Sequence, residues 1–90
     1  MSIRKIIRLP RLDEAQETAR IVEWHKKVGD YVKKGDKIVT IETMKVIYDV
    51  ESEYEGVITE IYHSIGEELP VGEPLCSIEV KEGSPKKLTT

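Results

Sequence analysis

The chain repeats itself. Laid over residues 56–80 at an offset of 37, residues 19–43 match at Ile21/Ile58, Glu23/Glu60, Gly29/Gly66, Gly35/Gly72, Ile41/Ile78 and Glu42/Glu79. Conservative pairs fill the gaps: Val28/Ile65, Asp30/Glu67, Val32/Leu69, Asp36/Glu73, Ile38/Leu75 and Thr40/Ser77. Two copies of one strand, turn, strand unit within 90 residues predict a single pseudo-two-fold domain, because half of so short a chain has too little apolar surface to be stable alone.

Matched turn chemistry punctuates both copies, at Gly29-Asp30 and Gly35-Asp36 in the first and at Gly66-Glu67 and Gly72-Glu73 in the second. Glycine supplies positive φ in such places. Short β-branched runs lie between these signals: 6–9, 20–25, 37–43, 46–50, 57–62 and 74–80. Their length and spacing predict strands of an all-β domain, a flattened barrel or sandwich of two similar antiparallel sheets. No stretch carries a capped helical period over three turns, so residues 13–20 are expected to form a turn or loop. The domain is expected to span residues 1–80, and residues 81–90, with Gly83, Ser84 and Pro85, read as a linker.

Residues 37–43 and 46–52 leave only Met44 and Lys45 between them, which predicts a tight hairpin. A two-residue loop pairs Thr43 with Val46, Ile41 with Tyr48 and Val39 with Val50 on one face, expected to be core. Glu42/Ile47, Thr40/Asp49 and Ile38/Glu51 fall on the other. Met-Lys is a poor match to primed turns, so the turn type stays open.

Composition narrows the function. Phe is absent and there is one Trp, so the core rests on Ile, Val and Leu. A lone Cys76 closes no intrachain disulfide, and in the repeat it aligns with Val39, which favours a buried, inert thiol. No apolar run approaches the ~20 residues of a membrane span, and no signal-peptide core follows Met1. A cytoplasmic protein without membrane partners is expected. Residues 42–79 hold ten carboxylates and one base, Lys45, which argues against a nucleic-acid surface there. The lysines at 26, 27, 33, 34 and 37 are interrupted by Asp30 and Asp36 and read as solvated turn residues. His25 and His63 lack partners at metal-ligand spacing. Trp24 aligns with Ile61 and reads as core or half-covered. No phosphate-binding loop, dinucleotide fingerprint, serine elbow or zinc-protease motif occurs, so no enzyme is expected.

Lys45 is the residue with a possible chemical task. A hairpin tip holds its ammonium in solvent while the strands fix its position. A nucleophilic lysine needs burial to lower its pKa, and the surrounding carboxylates act the opposite way. Lys45 therefore reads as a substrate for another enzyme, or as an ordinary surface lysine.

Five segments carry a resemblance: Leu9-Pro10-Arg11-Leu12, Ile21-Val22-Glu23-Trp24, residues 28–36, Ile41-Glu42-Thr43-Met44-Lys45 and Val71-Gly72-Glu73-Pro74-Leu75. Together they resemble the lipoyl domains of 2-oxo acid dehydrogenase acyltransferases, over residues 6–80. The resemblance implies a barrel-sandwich hybrid with lipoate joined by an amide to Lys45, and with Glu42, Thr43, Met44 and Val46 as the recognition surface. It also implies a lipoate protein ligase, a decarboxylase, an acyltransferase core and a flavoprotein reductase as partners of a monomeric carrier domain. Lipoyl domains usually have Asp where Met44 stands, and Gly where Asp13 and Ala19 stand. Met44 is similar to the Ala-Met-Lys-Met of biotinyl domains, which makes biotin and a biotin ligase the alternative. The third reading is an unmodified structural module of the same fold.

Overall fold

The four glycines that the repeat pairs adopt the same left-handed backbone, with φ of 96° at Gly29 and 94° at Gly66, and 91° at Gly35 and 92° at Gly72. In the computed structural model, which describes residues 2–81 (Lys81 by its backbone alone), each ends a four-residue turn with the acid that follows it. The acid's amide donates to the carbonyl of the turn's first residue, as in Asp30 to Lys27, Asp36 to Lys33, Glu67 to Ser64 and Glu73 to Pro70. In three turns the acid's carboxylate also accepts from that first residue's amide, at 2.8 Å from Lys27, 2.9 Å from Lys33 and 2.7 Å from Ser64. Pro70 has no amide to offer, and Glu73 turns to His63 instead, at 3.1 Å.

Eight strands run between these turns: β1 (Ser2–Arg8), β2 (Thr18–Trp24), β3 (Tyr31–Val32), β4 (Lys37–Glu42), β5 (Ile47–Glu51), β6 (Gly56–Ile61), β7 (Glu68–Pro70) and β8 (Pro74–Lys81). They form two four-stranded antiparallel sheets, ordered β1-β8-β6-β3 and β5-β4-β2-β7. The all-β, two-sheet expectation is met. β1 begins four residues before the expected run, because Arg4 and Lys5 sit on an edge strand whose outer side tolerates charge. β3 and β7, too short for any periodicity, went unread as strands.

The two-fold maps the whole of one sheet onto the other. β2 and β6 bulge at matched places, between Ile21 and Glu23 and between Ile58 and Glu60. Gly29 donates to the Ile58 carbonyl and Gly66 to that of Ile21, each at 2.8 Å. β1 corresponds to β5 at an offset of 43: Leu9 bonds Glu73 and Gly72 as Ser52 bonds Asp36 and Gly35. The change from 37 to 43 means that the connection from Leu9 to Ala19 is six residues longer than its counterpart from Ser52 to Gly56, which hid this pair from the sequence.

Equivalent residues fill the core from both sheets. Ile21 and Ile58, Ile41 and Ile78, Ile38 and Leu75, and Val39 and Cys76 are all fully buried. Each large aliphatic side chain so buried contributes about 1.5–3 kcal/mol. Burial also pushes the Cys76 thiol up to about 12, so it is protonated and unreactive. Trp24 is half-buried against this core, and its indole Nε1 donates to the His63 carbonyl at 3.0 Å.

The β4–β5 hairpin follows the expected register for Glu42/Ile47, Ile41/Tyr48, Thr40/Asp49 and Val39/Val50. It departs at the base, where Lys37 faces Glu51 and Ile38 is skipped. Its faces also differ from expectation. Val39, Ile41 and Val50 are core, but Tyr48 and Val46 on the same face are exposed, because the end of the hairpin reaches past the cover of the opposite sheet. Thr40, expected outside, is buried under a polar chain in which His25 Nε2 lies 2.7 Å from its hydroxyl, which donates to Asp49 at 2.6 Å.

Candidate functional site

Lys45 occupies the end of that hairpin. Thr43 makes the turn: its amide donates to the Val46 carbonyl at 2.8 Å, and its hydroxyl accepts from the amides of Lys45 and Val46, each at 3.1 Å. A threonine hydroxyl bonding amides two and three residues on stands in for the backbone turn. This is how Met-Lys is accommodated without Asn or Gly. Thr43 is therefore a shaping residue, half-buried below the tip.

Met44 is fully exposed, and Lys45 and Val46 are exposed beside it. Glu42 is exposed one step down, across from Ile47 on β5 and from Arg20 on β2. The structure thus brings together all five residues singled out around the tip. None of the ion pairs among the described residues involves Lys45. Elsewhere, His63 lies between Glu67 and Glu73 at 3.0 and 3.1 Å, and among the described residues no group of three or more His, Cys, Asp or Glu side chains is arranged to hold a metal ion.

Sequence reasoning missed the far wall of the site. An open groove runs beside the hairpin, lined by Thr43, Met44 and Lys45 on one side and by Asp13, Ala15, Gln16 and Glu17 of the long first loop on the other. Gln16 ties that loop together. Its buried side chain accepts the Leu12 amide at 2.5 Å and donates to the Pro10 carbonyl at 3.1 Å, while its carbonyl accepts from Arg11 at 2.8 Å. The signal that could have located this wall is the six-residue excess in one copy of the repeat.

A family model described as biotin-requiring enzymes, the biotin- and lipoyl-attachment family, matches residues 5–78. The chain belongs to this biotin/lipoyl family. Family membership implies a lipoate or biotin held covalently. Among relatives of this biotin/lipoyl domain, the dihydrolipoyllysine-residue succinyltransferase component of the 2-oxoglutarate dehydrogenase complex of Staphylococcus saprophyticus is 41% identical over 78 residues, 87% of this chain and 18% of its own length. The dihydrolipoyllysine-residue acetyltransferase component of the acetoin cleaving system of Bacillus subtilis is 36% identical over 70 residues, 78% of this chain and again 18% of its own. The biotin/lipoyl domain thus spans less than a fifth of these relatives. A solved lipoyl domain, from the 2-oxoglutarate dehydrogenase complex of Azotobacter vinelandii, superposes with a TM-score of 0.69 at 37% identity, covering 87% of this chain and 98% of that one. Part of a single-chain long-chain acyl-CoA carboxylase superposes with a TM-score of 0.71 at 18% identity, covering 90% of this chain and 7% of that one, a likeness of fold alone. The chain is a lipoyl-type carrier domain and not itself catalytic.

Proposed function

We propose that Lys45 receives lipoate as an amide on its side-chain nitrogen, and that the domain presents this arm to successive active sites of a 2-oxo acid dehydrogenase complex. The observation that carries the reading is the hairpin tip: a lysine in solvent, on a turn whose amides are already bonded to Thr43, at the position the resemblance assigns to the modified residue. The fit is chemical as well as positional. An amide on Nζ removes a charge that forms no ion pair among the described residues, so attachment breaks no ion pair among them.

Lipoate supplies a ring disulfide that can take up an acyl group and electrons. The residues of this chain do the rest. Thr43 fixes the direction in which Lys45 leaves the turn, and Glu42, Met44 and Val46 form the surface a ligase reads. Tethering the arm raises its local concentration at each partner site. The partners of this reading are a lipoate protein ligase, a decarboxylase, an acyltransferase core and a flavoprotein reductase.

Met44 favours a second cofactor, biotin, since it stands where lipoyl domains have Asp. Intact mass after co-expression with each ligase decides between the two. An added lipoyl group mapped to Lys45 supports the proposal, whereas biotin at Lys45, or no addition from either ligase, overturns it.

A further inference from the structure

The two halves of this fold obey one pattern closely enough that a departure from it is informative. The connection from Leu9 to Ala19 carries six residues more than its equivalent from Ser52 to Gly56, and it lies against the hairpin that bears Lys45. The extra length is held in shape by Gln16 and by an Asp13 carboxylate that accepts the Ala15 amide at 2.8 Å. It forms one wall of the groove, whose lining also includes Arg20, Glu68 and, on the hairpin, Lys45.

We propose that this groove is a resting site for the arm attached to Lys45, an inference that rests on the attachment reading above. The occupant is anchored at the groove's edge, so docking is intramolecular, at an effective concentration of roughly millimolar order. A weak contact therefore suffices to fold the arm back. Ala15 and the Met44 side chain offer apolar surface to the methylenes and ring. The carboxylates of Glu17, Glu42 and Glu68 can accept the new amide N–H, and the Arg20 guanidinium can donate to its carbonyl. Before attachment the groove holds two cations, Arg20 and Lys45, among its carboxylates. Acylation cancels one, so the groove receives a neutral chain and disfavours a negatively charged one. The resting arm is kept off the solvent until a partner surface displaces it.

The test compares the ¹⁵N-labelled domain unmodified and lipoylated, with intact mass confirming one group at Lys45. The expected result is amide shift changes at Ala15, Glu17, Thr18 and Glu68, across the groove, together with contacts from the ring protons to the Ala15 methyl. In a lipoylated Ala15→Asp variant, verified by mass in the same way, those distant changes should vanish. Changes confined to residues 43–46 in the lipoylated wild type, or a distant pattern that survives Ala15→Asp, overturn the resting site while leaving the attachment reading intact. A protein that carries no group at Lys45 overturns both.

Discussion

Lys45 and Met44 are separable from the fold because the turn they occupy is bonded through Thr43 and through backbone amides, not through their own side chains. Lys45→Arg should therefore abolish cofactor attachment while changing stability by less than ~0.5 kcal/mol, the range of ordinary surface substitutions. Mass spectrometry and chemical denaturation check the two halves of that statement, and a modified arginine variant would place the site on another lysine. Met44→Asp, equally neutral to stability, should raise lipoylation and suppress biotinylation, since specificity between related ligases can turn on one added charge. Equal modification of both proteins by both ligases would show that Met44 carries no such information. Glu67 acts at the same scale but on stability. The Ser64 amide and then His63 hold its carboxyl below the ordinary carboxylate range. A depressed folded pKa contributes stability that is present above the unfolded value of about 4.3 and is lost as pH falls through the folded one. Thermal midpoints measured from pH 6 down to 2 should decline in that acid window, and the decline should be shallower in Glu67→Gln.

At the level of elements, the four glycine-acid turns and the close strand contact at Gly56 carry the architecture. A Cβ on Gly56 would lie 2.1 Å from the Glu79 carbonyl oxygen and 2.9 Å from its carbon, so a backbone strand would have to move. Gly56→Ala should destabilise by about 2–3 kcal/mol, readable as a lower denaturant midpoint with an unchanged slope. Its counterpart in the first copy is Ala19, buried without such a clash. The pairing of a glycine with an alanine, invisible as a match in the sequence, records that the two copies approach their neighbouring strands at different distances. The turns were legible because Gly-Asp and Gly-Glu recur at a fixed offset. The two short strands β3 and β7 were not, since two or three residues carry no period and owe their pairing to partners far along the chain. The exposed Tyr48 was misread for a related reason: alternation assigns a side chain to a face, but only the extent of the opposing sheet decides whether that face is covered.

Across the whole molecule the halves are interleaved. The first five strands contribute β1 and β3 to one sheet and β2, β4 and β5 to the other, and the last three contribute β6 and β8 to the first sheet and β7 to the second. Cutting between Ser52 and Gly56 should therefore leave two unfolded fragments, because each loses strand partners in both sheets as well as its cover; a fragment with dispersed amide resonances would contradict this. The charge distribution acts at the same scale. With ten carboxylates between residues 42 and 79, association with a basic partner should slow as salt rises, since exposed charges are screened over ~8 Å at physiological ionic strength. A rate independent of salt would show that shape guides the encounter. The sequence alone determined the local chemistry: the repeat, the left-handed glycines, the hairpin register near its tip and the exposure of Lys45 all follow from residues close together in the chain. Tertiary structure alone decided that the repeats exchange strands and do not each form a sheet, and that the long first loop closes a groove against Lys45. Those outcomes depend on which distant edges pair and on how far a loop reaches, and neither is written in the spacing of neighbouring residues.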